Sequence, residues 1–263
     1  MTRYELAVSL AEECGGIVFD KFDTAFGAAE KTAGDYVTEA DLQSEKHAID
    51  TIRRLFPGDG ILSEETGVSA KGTTPYTWII DPLDGTNNFV RHIPIFCSSV
   101  AVCENGRPAA GAVYDPVRRE LFHGERGRGA FLGEEPLRVS ERSVTEELIC
   151  YLSLVPGRTG REEFDRMTKK IRLAPVSFRR LGSAALAHAY VAAGRIDAAL
   201  SDGLHSWDLA AGCLLIEEAG GRISGFAGNE ADMNDTVHRI IAGSPYGAAF
   251  LKNSLETADE TMV

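Results

Sequence analysis

An apolar run that stops at two closely spaced aspartates constrains this chain more than any other feature of its sequence. Residues 78–80 (WII) are typical of a buried strand, and the acidic turn DPLDG follows at once. Pro82 biases Asp81 toward an extended backbone, and Gly85 permits a sharp reversal of the chain. We therefore expect the carboxylates of Asp81 and Asp84 to lie close together at the end of a strand.

Two carboxylates held this close repel each other, which raises the pKa of one of them unless a divalent cation lies between them. A hard cation such as Mg²⁺ suits such oxygen ligands. Residues 86–88 follow directly, and backbone N–H groups at a helix N-terminus there could hold an anion. A metal beside an anion site would indicate a phosphate substrate. The five-residue string alone is better explained as a type I turn with an Asx cap.

The hydrophobic periodicity predicts an α+β protein. It indicates helices over 4–26 and 39–56, short antiparallel strands over 78–133, and alternating strands and helices after about residue 143. Between the first two helices, residues 27–38 are predicted to form a loop or a flexible hairpin, and 160–172 a polar helix. We expect two coupled halves, 1–143 and 144–263, with no linker segment to mark the boundary between them.

Composition excludes some classes of partner. The chain has 39 acidic against 27 basic residues and a formal charge of −12, which disfavours nucleic acid as a ligand. Its five cysteines are scattered and form no C-x-x-C pair, so neither a disulfide framework nor a zinc knuckle is indicated. No stretch reaches the length of a signal peptide core or a membrane span. These features predict a cytoplasmic protein with no membrane partner.

Two longer strings resemble the signatures of the inositol monophosphatase family. They are residues 78–89 (WIIDPLDGTNNF) and 207–212 (WDLAAG), the latter followed by Gly220-Gly221. Lys31 and the segments 35–41, 63–65 and 180–185 also resemble family segments, so the resemblance covers about residues 5 to 245. It implies the layered αβαβα sandwich of the inositol monophosphatase and fructose-1,6-bisphosphatase type, a homodimer, Mg²⁺ as cofactor and inhibition by lithium.

The resemblance also implies a role for individual residues. One Mg²⁺ would be held by Glu64, Asp81 and the main-chain carbonyl of Leu83, and a second by Asp81, Asp84 and Asp208. A third, weaker Mg²⁺ would lie near Glu64, which is thereby included among the catalytic residues. Asp41 and Thr86 would orient the attacking water, and direct attack by water argues against Asp81 as a nucleophile. Lys31 matches a lysine on a loop over the site. The residues expected to contact substrate are Gly85, Thr86, Gly182, Ser183, Ala184, Ser201, Asp202 and Asp208.

Simpler explanations exist for several of these acids. Asp41 with Thr38 fits a capping box at the start of the helix 39–56, and Asp208 could be a helix N-cap. The pair Glu64-Glu65 could be a solvated acidic pair. The six histidines have no metal-like spacing, and we assign none of them a catalytic role.

One position departs from the family. Where inositol phosphatases carry a glutamate that accepts hydrogen bonds from ring hydroxyls, this chain has Ser201 followed by Asp202. A buried polyol hydroxyl left unpaired there would cost about 1–3 kcal/mol, unless Asp202 or a water replaces the carboxylate.

The function predicted from the sequence is Mg²⁺-dependent hydrolysis of a small phosphorylated substrate, inositol 1-phosphate or a related polyol or sugar phosphate. Fructose-1,6-bisphosphatase, histidinol-phosphatase and nucleoside 3′,5′-bisphosphate phosphatase are alternative activities. A metal-binding regulatory protein is the alternative outside enzymes. The chain retains all five acids of the family pattern: Asp41, Glu64, Asp81, Asp84 and Asp208. Their mutual repulsion without metal costs stability, which favours a protein that binds metal and uses it.

Overall fold

The computed structural model describes residues 1–22, 28–32, 35–154, 162, 165, 167, 169, 175–234 and 237–256. Its helices are α1 (Arg3–Lys21), α2 (Glu39–Leu55), α3 (Thr86–Val90), α4 (Ala184–Ala192), α5 (Ser206–Glu218) and α6 (Pro245–Glu256), with a 3₁₀ turn at Thr145–Glu147. The strands are β1 (Ala28–Thr32), β2 (Asp35–Thr38), β3 (Gly60–Ser63), β4 (Gly67–Ala70), β5 (Tyr76–Asp84), β6 (Cys97–Glu104), β7 (Arg107–Asp115), β8 (Glu120–Glu125), β9 (Gly129–Leu132), β10 (Glu135–Pro136), β11 (Ile149–Leu154), β12 (Ser177–Arg179), β13 (Ala198–Leu204), β14 (Arg222–Gly225) and β15 (His238–Gly243).

Helices α1 and α2 form the first layer, because each carries an apolar stripe on one face. Leu6, Leu10 and Cys14 of α1 are buried, as are Ile49 and Ile52 of α2. These side chains pack on the apolar face of the first large sheet. Helix α1 ends at Lys21 with an extended backbone at Phe22, so the helix predicted over 4–26 is too long at its C-terminal end, and residues 23–26 lie outside the described residues.

The first large sheet has eight strands in the order β10-β9-β8-β7-β6-β5-β3-β4. Its strands pair antiparallel except for β3 and β5, which run parallel. The turn between β6 and β7 has Asn105 at φ 50° and Gly106 at φ 79°, the left-handed pair that a two-residue hairpin requires. The predicted antiparallel run over 78–133 is confirmed by this sheet.

Helices α4 and α5 lie between the first sheet and the second, and their buried faces form the largest core cluster. The two helices approach closely at Gly212, where an added Cβ would lie 2.4 Å from the Cβ of His188. The second sheet has the order β12-β11-β13-β15-β14, and α6 packs on its far face. The layers therefore run αβαβα, and the predicted fold class is confirmed.

Two further elements test the sequence patterns. Strands β1 and β2 pair as an antiparallel hairpin, so a hairpin is the correct choice for the segment between the first helices. The sequence pattern singled out no individual helix at the position of α6. The predicted polar helix at 160–172 lies, apart from four isolated positions, outside the described residues.

The strands of the first large sheet end at Pro136 and those of the second begin at Ile149. The division into two coupled halves, 1–143 and 144–263, stays a prediction. Within the described part of the chain, no helix is both long and apolar enough to cross a membrane.

Candidate active site

Three carboxylates meet where β5 ends and α5 begins. One oxygen from each of Asp81, Asp84 and Asp208 lies within 4.8 Å of the others. Residues an odd number apart in a regular strand point to opposite faces, so Asp81 and Asp84 would normally be separated. The pairing of β5 with β6 is irregular between them, with Asp81 opposite Ser99 and Asp84 opposite Cys97. This bulge turns both carboxylates toward α5.

Burial and mutual repulsion make this cluster costly without a ligand. Burial raises the pKa of Asp81 well above its usual value, and the charges of Glu64, Asp84 and Asp208 raise it further. The backbone N–H of Leu83 donates to Asp81 Oδ1 at 3.1 Å. All three groups are oxygen donors, the type that a hard divalent cation prefers. The donor set therefore fits Mg²⁺, which would reverse the sign of the local field.

Asp84 differs from Asp81 because helix α4 supplies it with donors. The Ser183 hydroxyl donates to Asp84 Oδ2 at 2.6 Å, and the backbone N–H groups of Ala185 and Ala184 donate at 2.7 and 3.1 Å. Burial still raises the pKa of Asp84, although these bonds oppose the rise. Two predicted substrate contacts, Ser183 and Ala184, thus bond a predicted metal ligand and tie the second half of the chain to the first.

The predicted phosphate segment lies beside the predicted hydroxyl segment. Gly85 has φ 102° and Gly182 has φ 77°, and a Cβ at Gly85 would lie 3.3 Å from the Gly182 carbonyl oxygen. Asn88 joins the two segments, because its Nδ2 donates to the carbonyl of Leu181 at 2.8 Å. Glycine is required at both positions by backbone conformation and by space.

Asp41 has both of the roles that the sequence allowed. It is the third residue of a capping box with Thr38, since its side chain accepts the Thr38 backbone N–H at 2.8 Å. Its other oxygen, Oδ1, lies 3.2 Å from the Thr86 hydroxyl, which also lies 3.0 Å from the Leu83 carbonyl oxygen. The predicted pair of Asp41 and Thr86 is therefore in direct contact. Burial raises the pKa of Asp41.

Glu64 follows β3, which pairs parallel with β5, so the two strands bring Glu64 and Asp81 to the same edge. The Glu64 backbone N–H donates to the Ile80 carbonyl at 3.2 Å, and the Glu64 side chain hydrogen-bonds Asp81. The half-buried Glu64 is therefore not half of a purely solvated pair.

Asp208 is the third residue of α5, and its Oδ2 accepts the His205 backbone N–H at 2.6 Å. The expectation that Asp208 is the N-cap is wrong, because His205 occupies that position. The helix start is anchored by Ser206, whose hydroxyl lies 2.8 Å from His238 Nε2.

Comparisons with known proteins agree with this geometry. The sequence model of the inositol monophosphatase family matches residues 2–259. The chain belongs to the inositol monophosphatase family.

Its relatives carry more than one name. The protein is 39% identical to "Nus factor SuhB" of Escherichia coli strain K12, over 91% of this chain and 90% of that protein. It is 37% identical to the "Fructose-1,6-bisphosphatase/inositol-1-monophosphatase" of Thermotoga maritima, over 88% of each. The crystal structure of the extragenic suppressor protein suhB from Bartonella henselae superposes with a TM-score of 0.88 at 33% identity, covering 97% of this chain and 98% of that one.

The inositol monophosphatase family is generally metal-dependent, and the acidic cluster of this chain matches that property. The family's layered α+β fold is likewise confirmed. The side chain of Lys31, predicted on the family pattern to lie near the metals, falls outside the described residues.

Ser201, which departs from the family pattern, contacts His188, and the sequence did not predict this contact. Ser201 is fully buried in β13, and its hydroxyl lies 3.5 Å from Nε2 of His188 in α4. His188 Nδ1 lies 2.7 Å from the Ala184 carbonyl, and burial lowers the pKa of His188 to about 4. The ring also meets Tyr151 edge-on at 6.1 Å between centroids. An apolar helix with one histidine was the only signal available.

Asp202 does not accompany Ser201. Successive side chains of a strand alternate in direction, and Leu200 belongs to the core cluster under α6 whereas Ala199 belongs to the central one. Asp202 follows Leu200 in this alternation, and its Oδ1 accepts Arg239 Nε at 2.9 Å. The expectation that Asp202 replaces the family's carboxylate beside Ser201 has no support in this arrangement.

Proposed function

We propose that this protein is a Mg²⁺-dependent phosphatase of small phosphate monoesters, acting by direct attack of water. The observation that carries the proposal is the meeting of Asp81, Asp84 and Asp208 within 4.8 Å, beside the contact between Asp41 and Thr86. An acidic cluster with a purely structural role would not need the contact between Asp41 and Thr86 beside it.

The residues that would hold Mg²⁺ are Glu64, Asp81 and the Leu83 carbonyl at one position, and Asp81, Asp84 and Asp208 at another. Bound Mg²⁺ supplies a lowered water pKa and stabilisation of the leaving oxygen. The chain positions these ligands: Asp84 is held by donors at the start of α4, Asp208 by the His205 backbone N–H, and Glu64 by its own backbone bond to the Ile80 carbonyl.

Asp41 and Thr86 would orient the attacking water. The Thr86 hydroxyl has one hydrogen, which either Asp41 Oδ1 at 3.2 Å or the Leu83 carbonyl at 3.0 Å can accept. With the Leu83 carbonyl holding Mg²⁺, the hydrogen would go to Asp41, and a lone pair of the hydroxyl would accept a hydrogen bond from the water. The raised pKa of Asp41 increases its ability to accept the proton that the hydroxyl relays. The backbone N–H groups of Gly85 and Thr86, at the start of α3, would bind the phosphate oxygens.

The substrate class we favour is a polyol or sugar phosphate such as inositol 1-phosphate. The Thermotoga maritima relative, whose name joins fructose-1,6-bisphosphatase with inositol-1-monophosphatase, supports including a bisphosphate. The relatives named Nus factor support the alternative of a regulatory protein. A homodimer, lithium inhibition, a cytoplasmic location and the absence of nucleic-acid and membrane partners stay predictions.

The test is phosphate release from inositol 1-phosphate, fructose 1,6-bisphosphate, histidinol phosphate and adenosine 3′,5′-bisphosphate, each with Mg²⁺ or EDTA. We expect release that requires Mg²⁺ and is lost in Asp208→Asn, with Asp50→Asn on the exposed face of α2 as the control. Binding of Mg²⁺ without release from any substrate would favour the regulatory alternative.

A further inference from the structure

A second buried acid on α2 lies one turn beyond Asp41. Glu45 is only 2% exposed, and its Oε1 accepts two successive backbone N–H groups, those of Glu65 at 3.0 Å and Thr66 at 3.2 Å. These are the first two amides after Glu64. One side-chain oxygen that accepts two successive backbone N–H groups fixes the local course of the chain, and the carboxylate of glutamate or the amide of glutamine can supply that oxygen at the same reach.

The position of these bonds matters because Glu64 lies on a turn between two short strands. The Glu64 backbone N–H is fixed by the Ile80 carbonyl on the side of β5. Beyond the turn lies β4, the edge strand of the sheet, where Val68 is 66% exposed. An edge strand has a neighbour on one side only, so β4 does little to fix the turn before it. Glu45 fixes the turn instead, through its bonds from helix α2.

Helix α2 thus contacts both elements that flank the metal cluster. Through Asp41 it reaches Thr86, and through Glu45 it reaches the turn that carries Glu64. Residues four apart on a helix lie on one face at a fixed spacing, so α2 sets the separation of the two elements.

We propose that Glu45 is a positioning residue for Glu64, and that its reach, rather than its charge, determines the affinity of the metal site. The proposal rests on the proposed function, because it takes Glu64 as a metal ligand. Outer contacts of this kind typically change metal affinity by about 10- to 100-fold when removed.

A buried carboxylate elsewhere in the fold provides the matched control. Asp59, just before the opposite end of β3, is 3% exposed and accepts Trp78 Nε1 at 2.9 Å and Arg3 Nε at 2.8 Å. It resembles Glu45 in burial and in multiple donors, but it contacts no residue of the candidate site.

The experiment titrates the metal-stripped full-length protein with Mn²⁺ by calorimetry, without substrate, in wild type, Glu45→Gln, Glu45→Asp and Asp59→Asn. Glutamine keeps an acceptor at the same reach, whereas aspartate keeps the charge but is one methylene shorter. We expect Glu45→Gln to bind within about threefold of wild type and Glu45→Asp to bind at least about 10-fold more weakly. Asp59→Asn should melt at a lower temperature in EDTA yet bind Mn²⁺ as wild type does.

The outcomes separate the two proposals. Wild-type affinity in Glu45→Asp would overturn the positioning role. An equal loss in Glu45→Gln and Glu45→Asp would overturn the claim that reach rather than charge determines the affinity. Neither result would affect the proposed function. A wild-type protein that binds no Mn²⁺ would overturn the proposed function and this inference with it. If Glu45→Asp does not melt cooperatively, Glu45→Met, which keeps the volume and removes the acceptor, carries the same expectation.

Discussion

Two polar regions lie along helix α4, and they differ in charge and in hydrogen bonding. At its start lies the acidic cluster of Asp81, Asp84 and Asp208, and one turn later lies the His188 wall of Tyr151, His188 and Ser201. The cluster brings together like charges whose burial costs free energy. The wall consists of neutral groups that contact one another through a hydrogen bond and an edge-on ring contact. The cluster follows the family pattern, whereas Ser201 of the wall departs from it. This division suggests that the reaction belongs to the first region and substrate choice to the second.

The largest expected effect separates function from stability within the cluster. Asp81→Asn should lower metal-dependent phosphate release by at least about 100-fold, because losing a ligand should exceed the effect of losing an outer contact. In EDTA the same variant should melt at a higher temperature than wild type, because it removes one charge from a buried, mutually repelling group. Phosphate assays and thermal melts with and without Mg²⁺ measure both effects.

Asp50→Asn is the control for this variant, because Asp50 is an exposed carboxylate on α2. It should leave both activity and the melting temperature in EDTA near wild type. A lower melting temperature for metal-free Asp81→Asn would show that the carboxylate is a structural hydrogen-bond acceptor, and the contrast between cluster and wall would fail.

The second effect concerns the wall. His188 has a pKa near 4 in the folded protein against about 6.5 when unfolded, so the unfolded state binds a proton first as pH falls. The stability present above pH 6.5 should therefore decline by about 3 kcal/mol between pH 6.5 and 4. His188→Leu should remove this part of the pH dependence, measured as the difference between the two denaturant unfolding curves at each pH.

Identical slopes in wild type and His188→Leu would show that the imidazole becomes protonated in the folded state, and the wall would not be neutral. The metal affinity of His188→Leu serves as the control, and it should stay near wild type because His188 lies outside the acidic cluster.

The difference between the two regions also explains what the sequence could predict. Asp81 and Asp84 were identified because Pro82 restricts the local backbone, Gly85 permits a sharp reversal, and strand, turn and acid lie within a few residues. The bond from Ser183 to Asp84 joins residues 99 positions apart, and no local pattern encodes it. His188 lies in a helix of small apolar residues whose neighbours give no periodic signal, so its contact with Ser201 emerges only from tertiary packing. Glu45 lies on the buried face of the amphipathic α2, but its bonds reach residues 20 and 21 positions away, and no local pattern encodes them.

A smaller effect tests the link between the two regions. Ser183→Ala removes the hydroxyl that lies 2.6 Å from Asp84 Oδ2 but leaves both backbone donors of α4 in place. We expect metal affinity to fall by about 10-fold, the lower end for an outer contact, with calorimetry as the measurement. Ser183→Thr, which keeps the hydroxyl, should bind metal more tightly than Ser183→Ala. Equal affinity in wild type and Ser183→Ala would show that the backbone donors suffice.

The smallest effect concerns substrate choice. Ser201→Glu introduces the carboxylate expected on the family pattern, and its nearest polar neighbour would be the imidazole of His188. Pairing of the two should favour a protonated imidazole and present an acceptor to a polyol hydroxyl. One added hydrogen bond corresponds to about a fivefold rise in the ratio of kcat/KM for inositol 1-phosphate over fructose 1,6-bisphosphate. Ser201→Gln provides an uncharged acceptor of similar length. An unchanged ratio in both variants, with metal affinity intact, would mean that the His188 wall is only part of the core and that substrate choice lies elsewhere.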